Sequence, residues 1–100
     1  MQEVDLNHFC AAHEAGALVV DVREPHEYQR GHVPGSLLMP MGHVSSRSDE
    51  LPRDRPVYVI CASGVRSLVA AAQLSGVGLD ARSVAGGVVA WARAGRPLVR

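Results

Sequence analysis

The stretch VYVICASGVRS, residues 57–67, joins an apolar segment to a short polar loop. Residues 57–60 show no polar alternation, which is typical of a central strand covered on both faces. The Ala-rich segment that follows, residues 68–72, favours a helix. Cys61 is therefore expected at the carboxyl end of a buried strand and just before a helix. Parallel α/β sheets bind their ligands at this end of their strands.

Strand and helix patterns alternate outward from this stretch along the whole chain. The predicted strands are 3–5, 18–22, 36–39, 57–60 and 81–84. The predicted helices are 6–16, 26–30, 68–76 and 88–94, with one helical turn within 42–55. This alternation predicts a three-layer α/β fold, with a mainly parallel sheet of about five strands and helices on both faces. The length of 100 residues predicts one domain, 1–100.

Composition excludes several classes of function. The ten basic residues, all arginines, balance ten acidic ones, so no basic surface for nucleic acid is expected. Aromatic residues make up only 4% of the chain, too few for a base-stacking platform. There is no signal peptide and no long apolar span, so we expect no membrane partner and a cytoplasmic, reduced protein.

Cys61 is the candidate nucleophile. Unused backbone N–H groups and the dipole at a helix N-terminus both favour the thiolate, which is the reactive form. Gly64 permits backbone angles that other residues resist, so the loop can curl around an accessible sulfur atom as an anion-binding nest. Ser67 adds a hydroxyl donor beyond the loop. The predicted anion-binding loop comprises Ala62, Ser63, Gly64, Val65 and Arg66.

The spacing between Cys61 and Arg66 separates two chemistries. Cysteine phosphatases have five residues between the cysteine and the arginine of a loop that binds phosphate. In this chain four residues separate Cys61 from Arg66. A smaller ring suits one extra sulfur atom better than a phosphoryl group. A small thiol phosphatase or arsenate reductase remains as the less favoured alternative.

Four segments in order resemble the motifs of single-domain rhodaneses, which are sulfurtransferases. They are 18–28, 31–36, 61–66, and 86–91 together with 95–98. The resemblance implies that Cys61 takes sulfane sulfur from thiosulfate or another donor as a persulfide, and gives it to cyanide or a thiol. It implies no metal and no organic cofactor. The alternative within this chemistry is a persulfide carrier that delivers sulfur to a biosynthetic partner protein.

The loop departs from the pattern of relatives that prefer thiosulfate. Those relatives often carry basic side chains directly after the cysteine, where this chain has Ala62 and Ser63. Arg66, expected to attract and orient the donor, is the loop's only charge. A low-molecular-weight persulfide or a partner protein's persulfide is therefore favoured as donor. A non-catalytic interaction module is disfavoured because Cys61 is present.

Asp21, Arg23 and His32 are predicted to support the site. Asp21 and Arg23 share one strand face, either as substrate contacts or, the favoured interpretation, as a structural network. In that network Asp21 accepts backbone N–H groups and Arg23 pairs with an acid such as Glu27. His32 is expected to fix a turn by hydrogen bonding.

The histidines as a group and Cys10 give weaker indications of a function. The five histidines lack a ligand pattern with cysteines or carboxylates, so no metal site is predicted. Cys10 lies on an apolar helix face and is expected to be a buried structural thiol. A resolving cysteine for Cys61 is the alternative.

Overall fold

The computed structural model describes residues 1–100 and contains one five-stranded sheet, all of whose pairings are parallel. The strands are β1 (Gln2–Val4), β2 (Leu18–Asp21), β3 (Leu37–Leu38), β4 (Val57–Ile60) and β5 (Ala81–Val84). The helices are α1 (Leu6–Glu14), α2 (Pro25–Arg30), α3 (Val44–Arg47), α4 (Val65–Gly76) and α5 (Gly87–Arg93). Single 3₁₀ turns, Met41–His43 and Ser48–Glu50, flank α3. The predicted α/β fold is confirmed.

The strand order β1-β5-β4-β2-β3 makes β4 the centre of the sheet. All four residues of β4 are buried, as its unbroken apolar sequence predicted. Val57 and Val59 face the cluster that contains α4, while Tyr58 and Ile60 face the cluster that contains α1 and α5. Burying an apolar side chain of this size contributes about 1.5–3 kcal/mol. Covering β4 on both faces therefore fixes the strand whose end carries Cys61.

The two cysteines lie in different hydrophobic clusters on opposite faces of the sheet. Cys10 packs in the α1–α5 cluster with Phe9 and Trp91, and both thiols are free. The indole of Trp91 also donates to the carbonyl of Pro97 at 2.7 Å, which ties the C-terminal segment to this face. Because the sheet separates the sulfurs, Cys10 is placed as a structural thiol and not as a resolving partner.

Helix starts follow their capping residues. Asp5 caps α1, and its carboxylate accepts the N–H of His8 at 2.8 Å. Helix α4 begins three residues earlier than predicted, at Val65. Gly64 takes a left-handed φ of +100°, which turns the loop directly into the helix. Arg66 and Ser67 consequently belong to the first helical turn.

The helices of this protein are all too short or too polar to span a lipid bilayer.

The start of α5 packs directly on the backbone that follows β4. The N–H groups of Val88 and Val89 donate to the carbonyls of Cys61 and Ala62, at 2.9 and 3.0 Å. Gly87 makes this approach possible, since a Cβ there would lie 2.3 Å from the Cys61 oxygen and 2.5 Å from the Ala62 oxygen. Both obstructing atoms are backbone, so they cannot swing aside. A residue without a side chain is required at this position.

Gly87→Ala should therefore lower the free energy of unfolding by about 3 kcal/mol or more, since α5 must move off the loop. Urea denaturation measures this change. Gly95→Ala is the matched control, because Gly95 also has a positive φ (+78°) but no atom within 4 Å of a new Cβ. The control should cost only the left-handed backbone penalty, about 1–2 kcal/mol. Equal losses in the two variants would contradict the close-packing argument.

Candidate active site

The sulfur of Cys61 lies inside a ring of hydrogen-bond donors immediately after β4. The N–H of Gly64 reaches Sγ at 3.1 Å, and the N–H of Ser67 reaches it at 3.3 Å. The Ser67 hydroxyl lies 3.5 Å from the same atom. Only 1% of the Cys61 surface is exposed, so the expectation of an accessible sulfur is wrong for this conformation. The loop wraps around the sulfur instead of presenting it to solvent.

Helix α5 fixes the orientation of the first two peptide units of the loop. In a trans peptide the C=O and N–H groups point in opposite directions. The Ala62 carbonyl is bonded to the N–H of Val89. The N–H of Ser63, in the same peptide unit, therefore points away from α5, and it helps to lower the pKa of the Cys61 thiol. The N–H groups that form hydrogen bonds to the sulfur come from Gly64 and Ser67.

The predicted loop and the observed donors overlap only in part. Ala62, Val65 and Arg66 make no hydrogen bond to the sulfur, although each was a candidate donor. The N–H of Ser67 lies beyond the predicted segment. Because α4 starts at Val65, its first turn presents that free N–H to the loop.

Two opposing effects set the pKa of the Cys61 thiol. Burial raises it, whereas hydrogen bonds from the Ser67 hydroxyl and the N–H groups of Ser67, Gly64 and Ser63 lower it. The hydrogen bonds win, so the pKa lies below the ordinary value of a cysteine. This direction agrees with the sequence-based expectation. Since the thiolate is the nucleophile, the geometry favours the reactive form.

Ser83 joins the site, and the sequence analysis missed it. Its hydroxyl lies 2.7 Å from that of Ser67, and both residues are fully buried. Ser83 has no other side-chain partner, so Ser83, Ser67 and Cys61 form a chain of two hydrogen bonds. When Cys61 is a thiolate, it accepts a hydrogen bond from the Ser67 hydroxyl. The Ser67 oxygen can then accept a hydrogen bond from the Ser83 hydroxyl. A serine on the same strand face as the buried Ala81 was the only local signal for this role.

Arg66 is engaged by Glu27. Its two Nη atoms contact the two carboxylate oxygens at 2.7 and 2.9 Å in a bidentate pair. The hydrogen bond from Arg66 is the main reason that the pKa of Glu27 falls to about 2. The one charge of the predicted loop is thus neutralised at neutral pH.

The expectation that Arg23 pairs with Glu27 is wrong, because Arg23 pairs with Asp21. The Arg23 Nε lies 3.0 Å from both carboxylate oxygens, and Nη2 lies 2.9 Å from Oδ2. Asp21 also accepts the backbone N–H of Arg23 at 3.0 Å. Nη2 donates further to the carbonyl of Gly31, at the end of α2, at 2.8 Å. This buried network holds α2 in place and so positions Glu27.

His32 fixes the turn after α2, as its sequence context suggested. Its Nδ1 lies 2.8 Å from the carbonyl of Tyr28, and the two rings stack with centroids 3.6 Å apart. Its backbone exchanges two hydrogen bonds with Val99, each 2.9 Å long. No contact between His32 and the sulfur is seen.

No group of histidine, cysteine and carboxylate side chains could hold a metal ion. Two grooves lie near the loop. The first groove, of about 520 Å³, is lined by Ser63, Gly86, Val89, Ala90, Arg93 and Ala94. The second, of about 300 Å³, is lined by Arg23, Glu27, Arg30, Gly31, Val88 and Leu98. The first groove therefore carries one positive charge and no negative charge, whereas the second carries both signs of charge.

The hydroxyl chain predicts a measurable effect on Cys61. Ser67→Ala should raise the thiol pKa and slow alkylation by iodoacetamide at neutral pH by roughly five- to tenfold, since a hydrogen bond to the anion is lost. Ser83→Ala should do the same more weakly, and should have no further effect in the Ser67→Ala background. Rates measured across pH should converge at high pH, where all forms are ionised.

Ser36→Ala is the matched control for this experiment. Ser36 is another buried serine, and its hydroxyl donates to the Val33 carbonyl at 2.7 Å, away from the sulfur. It should leave the alkylation profile unchanged. Additive effects of Ser67→Ala and Ser83→Ala would refute the chain.

The rhodanese-like domain model matches residues 8–94. A protein named sulfurtransferase from Allochromatium vinosum is 42% identical over 83 residues, covering 82% of this chain and 78% of its own length. A putative sulfur carrier protein, YrkF, from Bacillus subtilis is 45% identical over 53 residues, covering 53% of this chain but only 29% of its own length.

Solved structures agree with the sequence comparison. The rhodanese-related protein of Thermoplasma volcanium superposes with a TM-score of 0.92 at 33% identity, covering 99% of this chain and 98% of that one. The residues that match the domain family, 8–94, include β2 to β5 and the Cys61 loop. The N–H groups around Cys61 and the family match point to the same conclusion: this chain belongs to the rhodanese-like domain family.

Proposed function

We propose that this domain is a sulfurtransferase that carries sulfane sulfur as a persulfide on Cys61. The observation that carries the proposal is the ring of N–H donors from Gly64 and Ser67 around a thiol of lowered pKa. Hydrogen bonds of this kind stabilise a negative charge that resides on sulfur before, during and after transfer. The family membership supports sulfur transfer in general.

The reaction proceeds in two displacements that conserve atoms and electrons. The Cys61 thiolate attacks the outer sulfur of thiosulfate, a sulfur–sulfur bond forms, and sulfite leaves with the electron pair of the broken bond. Cyanide or a thiolate then attacks the outer sulfur of the persulfide and restores the Cys61 thiolate. No external base is needed when the thiolate is already formed, and neither step requires a cofactor.

The charges around the loop favour a persulfide donor over thiosulfate. Thiosulfate is a small dianion, and the cation nearest the ring, Arg66, is already paired with Glu27. Ala62 and Ser63 supply no further charge. The proposed donor is therefore a low-molecular-weight persulfide, and thiosulfate serves as a weaker substitute.

A persulfide carrier for a partner protein is the second candidate. The burial of Cys61 and the similarity to the putative sulfur carrier YrkF favour it. Fast multiple turnover with cyanide supports the enzyme, whereas a single loading without turnover supports the carrier. Hydrolysis of an aryl phosphate would instead support the thiol phosphatase, which the short loop disfavours.

Incubation with a sulfur donor should add the mass of one sulfur atom to the protein, and Cys61→Ser should abolish this gain. Intact-protein mass spectrometry measures it. Cys10→Ser is the matched control, because Cys10 is the other free thiol and lies on the opposite face. It should retain the added sulfur. A gain that survives in Cys61→Ser would refute the proposed nucleophile.

Glu27→Gln should lower the KM for thiosulfate by roughly threefold or more, since it frees the charge of Arg66 to bind the dianion. Steady-state kinetics with cyanide as acceptor measures this. Glu50→Gln is the matched control, because it breaks another bidentate arginine pair, to Arg47, outside the donor ring. It should leave the KM unchanged. A higher KM in Glu27→Gln would mean that the pair holds Arg66 in its binding position.

A further inference from the structure

The groove that begins at Ser63 has room for more than a small anion. Its volume of about 520 Å³ lies within the range of small-molecule sites, about 300–1,000 Å³. Its lining follows α5 from the capping residue Gly86 to Ala94, and Gly86 and Ala90 supply almost no side chain. A Cβ on Gly86 would lie 2.6 Å from that of Ala90, so the space depends on these two small residues.

One cation marks the far end of this groove. Arg93 is exposed in the last turn of α5 and takes part in none of the ion pairs of the protein. No acidic residue lines this groove, whereas Glu27 lines the groove on the other side of the loop. An anionic group is therefore attracted to Arg93 without competition from a neighbouring carboxylate.

The distance along α5 selects the size of the ligand. Gly86 and Arg93 are seven positions apart, which corresponds to about 10 Å at the helical rise per residue. Thiosulfate is too short to reach from the loop to Arg93. A peptide of three residues, at about 3.3–3.6 Å per residue when extended, spans that length.

We propose that this groove binds a peptide-sized thiol or its persulfide, with a carboxylate at Arg93 and the sulfur beside Ser63. The proposal rests on the proposed function and names its substrate class. In the donor direction the Cys61 thiolate attacks the outer sulfur of R–S–S⁻. The new sulfur–sulfur bond forms on Cys61, and R–S⁻ leaves with the electron pair of the bond that breaks.

Glutathione persulfide and thiosulfate are the two probes for a kinetic test of Arg93→Gln. With glutathione persulfide, the variant should lose roughly five- to tenfold in kcat/KM through a higher KM, because a charged contact is removed. With thiosulfate, kcat/KM should change less than about twofold. Arg30→Gln is the matched control, because Arg30 is the unpaired arginine of the other groove. It should affect neither donor selectively.

A binding experiment keeps this inference separate from the transfer chemistry. Calorimetric titration with S-methylglutathione, which cannot carry sulfane sulfur, should show weaker binding to Arg93→Gln than to the wild type and Arg30→Gln. Such binding without any sulfur transfer would remove the proposed function and leave the groove assignment standing. Equal loss with both donors, loss in Arg30→Gln instead, or no change in Arg93→Gln would overturn the assignment.

Discussion

The hydrogen bonds from the start of α5 to the carbonyls of Cys61 and Ala62 fix the backbone of the loop at Cys61. They commit those two carbonyls to the helix, so neither oxygen turns its lone pairs toward the sulfur. Carbonyl oxygens turned toward a thiolate would repel it and raise its pKa. The contact requires a residue without a side chain at position 87. The geometry of the Cys61 loop therefore depends on a helix that starts 26 positions later.

The site uses dipoles more than net charge. Burial alone would raise the pKa of the Cys61 thiol, and hydrogen bonds from Ser67, Gly64 and Ser63 bring it below the ordinary value. Fixed dipoles in a water-excluded pocket lose little to solvent screening and need no reorganisation during reaction. The Ser83 hydroxyl adds a second hydroxyl dipole behind that of Ser67. A hydroxyl can donate a hydrogen bond to a thiolate or accept one from a thiol.

Ion pairs instead hold together the elements around the loop. Asp21 and Arg23 form a buried pair, and Arg23 also holds the end of α2 through the Gly31 carbonyl. That helix carries Glu27, which occupies the guanidinium of Arg66. A cation that the sequence suggested for the substrate is thus used to join α2 to α4. Free positive charge lies at the groove ends, on Arg93 and Arg30.

The local pattern of residues determined the strands 57–60 and 81–84, the place of Cys61 and the thiolate-favouring loop, because apolar runs, glycines and helix starts act over a few residues. Only the tertiary structure decided which groups meet across the sheet. Ser67 contacts Ser83, and Arg66 contacts Glu27, across 16 and 39 positions. Those contacts depend on strand order and helix placement, which no short stretch encodes. Burial of Cys61 likewise follows from its place in the cluster between the sheet and α4.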